Sequence, residues 1–178
     1  MSAVRHDRNK GRRTAVQLLY ASEITGQDPV QIAETGAAPE EVVLDEYALR
    51  LIEGVAAEKD AIDAQLEECS RNWAVSRMPL VDKCILRVAV YEMRNVEEVP
   101  VAVSINEAVE IAREFGGEDE SHRFVNGVLG RIAEGLADGA AATPAAEPAE
   151  AGADESDPLQ QSEPAEPVPA AEAKPEEE

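Results

Sequence analysis

The stretch VPVAVSINEAVEIAREFGGEDESHRFVNGVLGRIA, residues 99–133, reads as two amphipathic helices joined by a short acidic loop. Ser104 stands three residues before Glu107, the spacing of a capping box, and Gly116-Gly117 can supply a left-handed stop. Between these signals Ile105, Ala108, Val109, Ala112 and Phe115 recur at the three-and-four spacing of one buried stripe, which leaves Asn106, Glu107, Glu110, Arg113 and Glu114 facing out. The second helix starts near Ser121 and buries Val125, Val128, Leu129, Ile132 and Leu136. At about 100° per residue, Phe124 falls roughly 100° from the centre of that stripe. Two readings of it stay open. A neighbouring helix covers the ring, the commonest fate of Phe, or the ring is a platform on which an unpaired base stacks.

Outward from this pair the chain is helical throughout. Residues 8–25 form a helix with a stripe of Ala15, Leu18, Leu19 and Ser22. A second face, Arg13, Val16, Gln17, Tyr20 and Ile24, is too apolar for an ordinary solvated surface, so either another helix or a protein partner covers it. A connector punctuated by Pro29, Gly36 and Pro39 follows, with a short helical turn around residues 30–35. Asp45 can cap a helix with the stripe Ala48, Leu51, Ile52 and Val55, and a further helix over residues 58–70 buries Ile62, Leu66 and Cys69. Trp73 is expected to fill the gap between two helical layers.

Residues 79–94, opened by Pro79, make the most apolar helix, and a helix apolar nearly all round belongs at the centre of a bundle. Its basic residues are ordered: Lys83, Arg87 and Arg94 project within about 40° of one another. They are either a snorkelling edge paired with acids of neighbouring helices or a basic stripe for a ligand. Asp82 lies opposite, on a face with Ala89 and Met93. With no strand and no repeat, the fold class is all-α.

The 178 residues suit one domain plus an extension. From Gly139 onward Ala, Pro and Glu dominate, Leu159 and Val168 are the only bulky aliphatics, and no aromatic occurs, so residues 139–178 are expected to be a disordered acidic tail. That segment carries about half of the net charge of −21, so the body is acidic too. A broadly basic nucleic-acid surface is thereby excluded, and any RNA contact must be local. The basic N-terminal run, Arg5, Arg8, Lys10, Arg12 and Arg13, offers such a place. It lacks the apolar core of a signal peptide and no run reaches transmembrane length, so a cytoplasmic location without membrane contact is expected.

Catalytic signatures do not emerge: there is no phosphate loop followed by Lys, no nucleophile elbow and no Cys-His ligand spacing. Cys69 and Cys84 read as buried small hydrophobes. Glu118, Asp119 and Glu120 at a helix start are explained by the helix dipole and capping more simply than by a divalent cation. A binding module without cofactor or metal is the expectation, not an enzyme.

Four segments together, RRTAVQLLYASEI at 12–24, DKCILRVAVYEM at 82–93, VPVAVSINEAVEIAREFG at 99–116 and SHRFVNGVL at 121–129, resemble the NusB family of bacterial transcription antitermination factors. The resemblance covers roughly residues 5–136 and stops at the tail. It implies two small helical bundles packed across each other, about seven helices in all, within a domain over residues 1–138 that divides into sub-bundles at about 1–73 and 74–138. It also implies binding of boxA, a single-stranded RNA element of ribosomal RNA operon leaders, jointly with the ribosomal protein NusE, in an RNA polymerase antitermination complex. RNA contacts would come from Arg8, Lys10, Arg12, Arg13, Ser121, His122, Arg123, Phe124 and Asn126, joined by Lys83 and Arg87 if the basic stripe is a binding stripe. Tyr20 and Asp82 would belong to the NusE surface. The arm here, RHDRNKGRR, departs from the pattern through Asp7, Asn9 and Gly11. The tail is either an inert solubilising extension or a competitor of RNA for the basic arm. The alternative function is a helical docking or homodimerisation module built on the Arg13, Val16, Tyr20, Ile24 face. A ribosomal RNA methyltransferase, some of which carry a similar helical domain, would need a methyl-donor site that has no room here.

Overall fold

The computed structural model describes residues 2–35, 42, 44–70, 74–116 and 120–141, with side chains described between Asp7 and Ala137. The expectations for Gly36, Pro39, Trp73, Gly117, Glu118, Asp119 and the tail lie outside the described residues. Among those described there are six α-helices and one short 3-10 turn, Val75–Arg77, and no strand. The helices are α1 (Ser2–Thr25), α2 (Pro29–Glu34), α3 (Glu46–Cys69), α4 (Leu80–Asn95), α5 (Val101–Phe115) and α6 (Ser121–Ala141).

Local chemistry sets most of the boundaries. Gly26 at φ 70 ends α1 in the left-handed conformation that glycine adopts without penalty. The Asp28 carboxylate then accepts from the amides of Val30 and Gln31 at 2.9 and 3.1 Å, with Pro29 pre-set at the first position of α2. Asp45 caps α3 by accepting from the Ala48 amide at 2.7 Å. The two helices expected over residues 45–70 are one continuous α3, because no Pro breaks the run and Gly54 is useful where it stands. A Cβ on Gly54 would sit 1.9 Å from the Tyr91 ring, so the missing side chain lets α4 lie against α3.

Three details of the opening stretch differ from expectation. Helix α5 begins at Val101, and the Pro100 carbonyl accepts from the Val103 and Ser104 amides. Ser104 is therefore interior and buried, and no capping box forms. Glu107 faces inward, buried, where the Asn9 side-chain amide of α1 donates to its carboxylate. The buried stripe is rotated accordingly, onto Ser104, Ala108, Ile111 and Ala112. Gly116 closes α5 at φ −73, so it is no left-handed stop. Its role is steric, since a Cβ there would lie 2.3 Å from both the Ala112 carbonyl and Ser121 Oγ.

Two small bundles result. Helices α1, α2 and α3 pack on one another, as do α4, α5 and α6, and α4 also packs on α1 and α3. Every residue of α4 from Cys84 to Val90 is buried, the central position its composition implies. The α6 stripe is as the period predicts: Val125, Val128, Leu129 and Ile132 are all core.

Candidate nucleic-acid interface

At the corner where α5 turns into α6, a cleft of about 510 Å³ is lined by Pro79, Asp82, Gly116, Glu120, Ser121, Arg123 and Phe124. The start of α6 supplies most of it, because one helical turn from Glu120 to Phe124 is held by the 2.9 Å bond from the Phe124 amide to the Glu120 carbonyl. Ser121 Oγ donates to the Asp82 carboxylate, and both groups are buried, so the hydroxyl ties the floor of the cleft to the first turn of α4. Phe124 is half-buried. Part of its ring packs on the core and part lines the cleft, which joins the two readings its position left open. Arg123 and Asn126 are exposed, and His122 is half-buried.

A second, open groove of about 560 Å³ lies at the start of α1 and is lined by Asp7, Arg8, Lys10, Asp45, Glu46, Tyr47 and Arg50. Arg8 stacks over the Tyr47 ring, 5.6 Å from its centroid, and its Nη1 donates to the Glu98 carbonyl at 3.4 Å. Lys10 is exposed. Arg13 is half-exposed and pairs at 2.8 Å with Glu114 in the last turn of α5. Gly116, two residues beyond Glu114, lines the Phe124 cleft, so α1 carries basic residues from the groove to the corner.

The other basic candidates are internal, which corrects their assignment to a ligand surface. Arg12 is buried, and its Nε donates to Glu92 at 2.8 Å. Arg87 is buried as well, bonded to Asp63 at 2.7 and 2.6 Å and to Glu23 at 2.8 Å. Burial opposes its charge, and the Asp63 and Glu23 carboxylates more than offset that, so its pKa is raised. Lys83 sits 3.5 Å from the same Glu23, and Arg94 3.7 Å from Glu58. The Lys83, Arg87, Arg94 stripe is thus a seam of ion pairs to α1 and α3. Hydrogen bonds from Lys59 and then Arg87, working against burial, lower the Glu23 carboxyl from 4.5 to about 2.

The two residues expected on a protein surface separate. Tyr20 is exposed on α1 beside Ile24, which is 60 % exposed, whereas Val16 of the same face is buried against α4 and α5. Asp82 is 3 % exposed and belongs to the Phe124 cleft, so its carboxylate is not presented for docking. Tyr47 escaped the sequence reading altogether. Two guanidinium groups stack on its ring and its hydroxyl donates to Glu92, but these partners lie on other helices, far away in sequence. Burial, then the neighbouring Glu92, raises its pKa. Cys84 is a buried thiol pushed up to about 11 by burial. Among the described residues no group of three or more His, Cys, Asp or Glu is placed to hold a metal ion, and no helix is long and apolar enough to cross a membrane.

The model of the NusB family matches residues 9–134. The chain belongs to the NusB family. Its curated relatives include the transcription antitermination protein NusB of Bacillus cereus (strain B4264), 43 % identical over 129 residues, which are 72 % of this chain and 98 % of the relative. Among solved structures, NusB of T. maritima is 32 % identical with a TM-score of 0.63, over 71 % of this chain and 90 % of that one. A structure of the antitermination factors NusB and NusE in complex with double-stranded RNA matches with a TM-score of 0.60 at 22 % identity, over 72 % of this chain and 96 % of that one, and so speaks for the fold. The family match takes in the SHRFVNG motif and the basic residues from Lys10 to Arg13, and it leaves out Arg8 and the tail.

Proposed function

We propose that this chain is a cytoplasmic, non-catalytic transcription antitermination factor that binds boxA single-stranded RNA of ribosomal RNA operon leaders together with NusE, in an RNA polymerase antitermination complex. The observation that carries the reading is the cleft at the start of α6, where the half-buried Phe124 ring and the exposed Arg123 stand over a floor fixed by Ser121 and Asp82. A base stacked on Phe124 with its phosphate toward Arg123 uses both faces of an aromatic-plus-cation site. His122 and Asn126 flank that contact. Arg8, Lys10 and Arg13 extend it along α1, while the buried Ser121 and Arg12 hold the cleft floor and the first helix from within. Membership of a family whose curated relatives are antitermination proteins supports the activity. The exposed Tyr20 and Ile24 are then the NusE-facing patch. In domain terms the binding unit is residues 1–138, with sub-bundles of about 1–73 and 74–138, followed by an acidic tail.

The test is a titration of labelled boxA RNA with the protein, with and without NusE, at two salt concentrations. Tighter binding with NusE and a steep loss with salt are expected. Binding that ignores NusE, or that treats boxA and a scrambled RNA alike, refutes the reading.

A further inference from the structure

Arg12 stands in the basic arm, yet its position is that of a structural pin. Four helices meet around it. From α1, its Nε bonds to Glu92 of α4 at 2.8 Å, with side-chain exposures of 4 % and 1 %. From α3, Tyr47 donates its hydroxyl to the same Glu92 oxygen and offers its ring to the Arg12 guanidinium, 5.7 Å from the centroid. Toward α5, Arg12 and Glu92 border a small cavity of about 10 Å³ with the buried Ser104. The neighbours of Arg12 are pinned too. Arg8 also lies over the Tyr47 ring, Asn9 donates to Glu107, and a Cβ on Gly11 would meet Asp45 and Tyr47 at 3.0 Å. With one side of the turn from Arg8 to Arg13 held this way, Lys10 is left facing water and Arg13 is left at the end of α5.

We propose that the buried Arg12–Glu92 pair, with Tyr47, is a positioning device for RNA: it sets the orientation of the first helix across the two bundles, and so the spacing of Arg8, Lys10 and Arg13 relative to the Phe124 cleft. This rests on the RNA-binding reading above. A buried ion pair contributes little net stability compared with apolar residues of similar volume, whereas removing one partner strands the other charge. The pair's use is therefore geometric: a bond with a defined direction fixes the rotation of α1 about its axis, which an apolar contact specifies less sharply. Arg12 touches no phosphate, so the salt dependence of binding is indifferent to it, and Glu92 and Tyr47 matter to RNA although neither meets it.

The experiment measures affinity for labelled boxA RNA across several salt concentrations, with NusE present. Wild type is compared with Lys10→Ala, Arg12→Met and the double variant Arg12→Met/Glu92→Met, each at a temperature where circular dichroism shows it folded. Lys10→Ala should lower the slope of log K against log salt by about one. Arg12→Met should weaken binding roughly tenfold with the wild-type slope. The double variant, which leaves no stranded carboxylate and so regains stability, should stay about as weak, because an apolar contact does not fix the rotation of the helix; recovery of the double variant to wild-type affinity overturns the proposal. A slope reduced in Arg12→Met and not restored in the double variant makes Arg12 a phosphate contact and overturns the proposal. Wild-type affinity in a folded Arg12→Met variant also overturns it, leaving a purely structural pair. Failure of the wild type to bind boxA overturns the RNA reading itself. In that event amide exchange at residues 7–13 of the free protein reads the pinning separately: it should quicken in Arg12→Met and stay quicker than wild type in the double variant, and unchanged exchange refutes it.

Discussion

Replacing Glu23 by Gln tests the ion-pair seam, because that carboxylate is its hub. Oε1 accepts from Lys59 Nζ and Arg87 Nη1, each at 2.8 Å, and Oε2 lies 3.5 Å from Lys83 Nζ, so one side chain of α1 joins α3 and α4. These partners, Lys59 first, hold the carboxyl at about 2 against an ordinary 4.5. Taken at face value the depression corresponds to a ceiling of about 3 kcal/mol. Lys59 is 48 % exposed, so water and salt screen its share, and about 1 to 2 kcal/mol is the realistic contribution. The sign follows from the direction of the shift. The folded protein binds the proton less readily than the unfolded chain, so the contribution is complete well above pH 4.5 and is lost as the pH falls toward 2. Urea denaturation of wild type and Glu23→Gln should therefore differ by about 1 to 2 kcal/mol at pH 7 and by less than about half of that at pH 3. Other carboxylates titrate alike in both proteins and cancel in the difference. A deficit that is the same at pH 7 and pH 3, or that grows in acid, refutes the assignment of Glu23 as the seam's depressed carboxylate.

Three further outcomes are expected. Gly116→Ala forces a Cβ to within 2.3 Å of the Ala112 carbonyl and Ser121 Oγ, and should cost roughly 1 to 3 kcal/mol in thermal or urea unfolding, with weaker RNA binding because Ser121 is displaced from Asp82. Phe124→Ala should weaken boxA binding by roughly 1 to 3 kcal/mol in fluorescence anisotropy without changing the salt slope, because a stacked base is lost and no phosphate contact is. Tyr20→Asp alters an exposed side chain, so stability should stay within about 0.5 kcal/mol while the affinity for NusE measured by calorimetry falls; unchanged NusE affinity removes that patch from the interface.

The helical period was a sufficient guide in α4 and α6, but not in α5, where Ile105, Val109 and Phe115 of the expected apolar stripe are only half-buried. Val125, Val128, Leu129 and Ile132 of α6 and the nearly all-apolar α4 lie where their spacing puts them, because burying apolar area is non-directional and needs no particular partner. Turn chemistry was equally legible at Asp45, whose carboxylate reaches an amide three residues away. Reading failed where a polar residue is buried by a partner distant in the chain. Glu107 faces inward because Asn9 meets it, Ser104 is interior because Pro100 starts the helix early, and Gly54 stands inside a continuous α3 because Tyr91 occupies the space above it.

The candidate site divides along the same line. That this chain is all-helical, acidic in net charge, basic near the start of its first helix, and of the NusB type through RRTAVQLLYASEI and SHRFVNGVL, was contained in the sequence, since local periodicity, net charge and motif order do not depend on how the helices cross. Which cations face a ligand was not contained there. A run of basic residues looks uniform when written out, but one turn of helix points its members in different directions, so Lys10 meets water while Arg12, two residues on, meets Glu92 and Tyr47 inside the protein. Tertiary packing alone made that choice, as it placed Asp82 beneath Phe124 and closed the Lys83, Arg87 and Arg94 stripe with the carboxylates of neighbouring helices. A charge is free or paired according to what lies within a few ångströms of it, and that distance is a property of the folded chain.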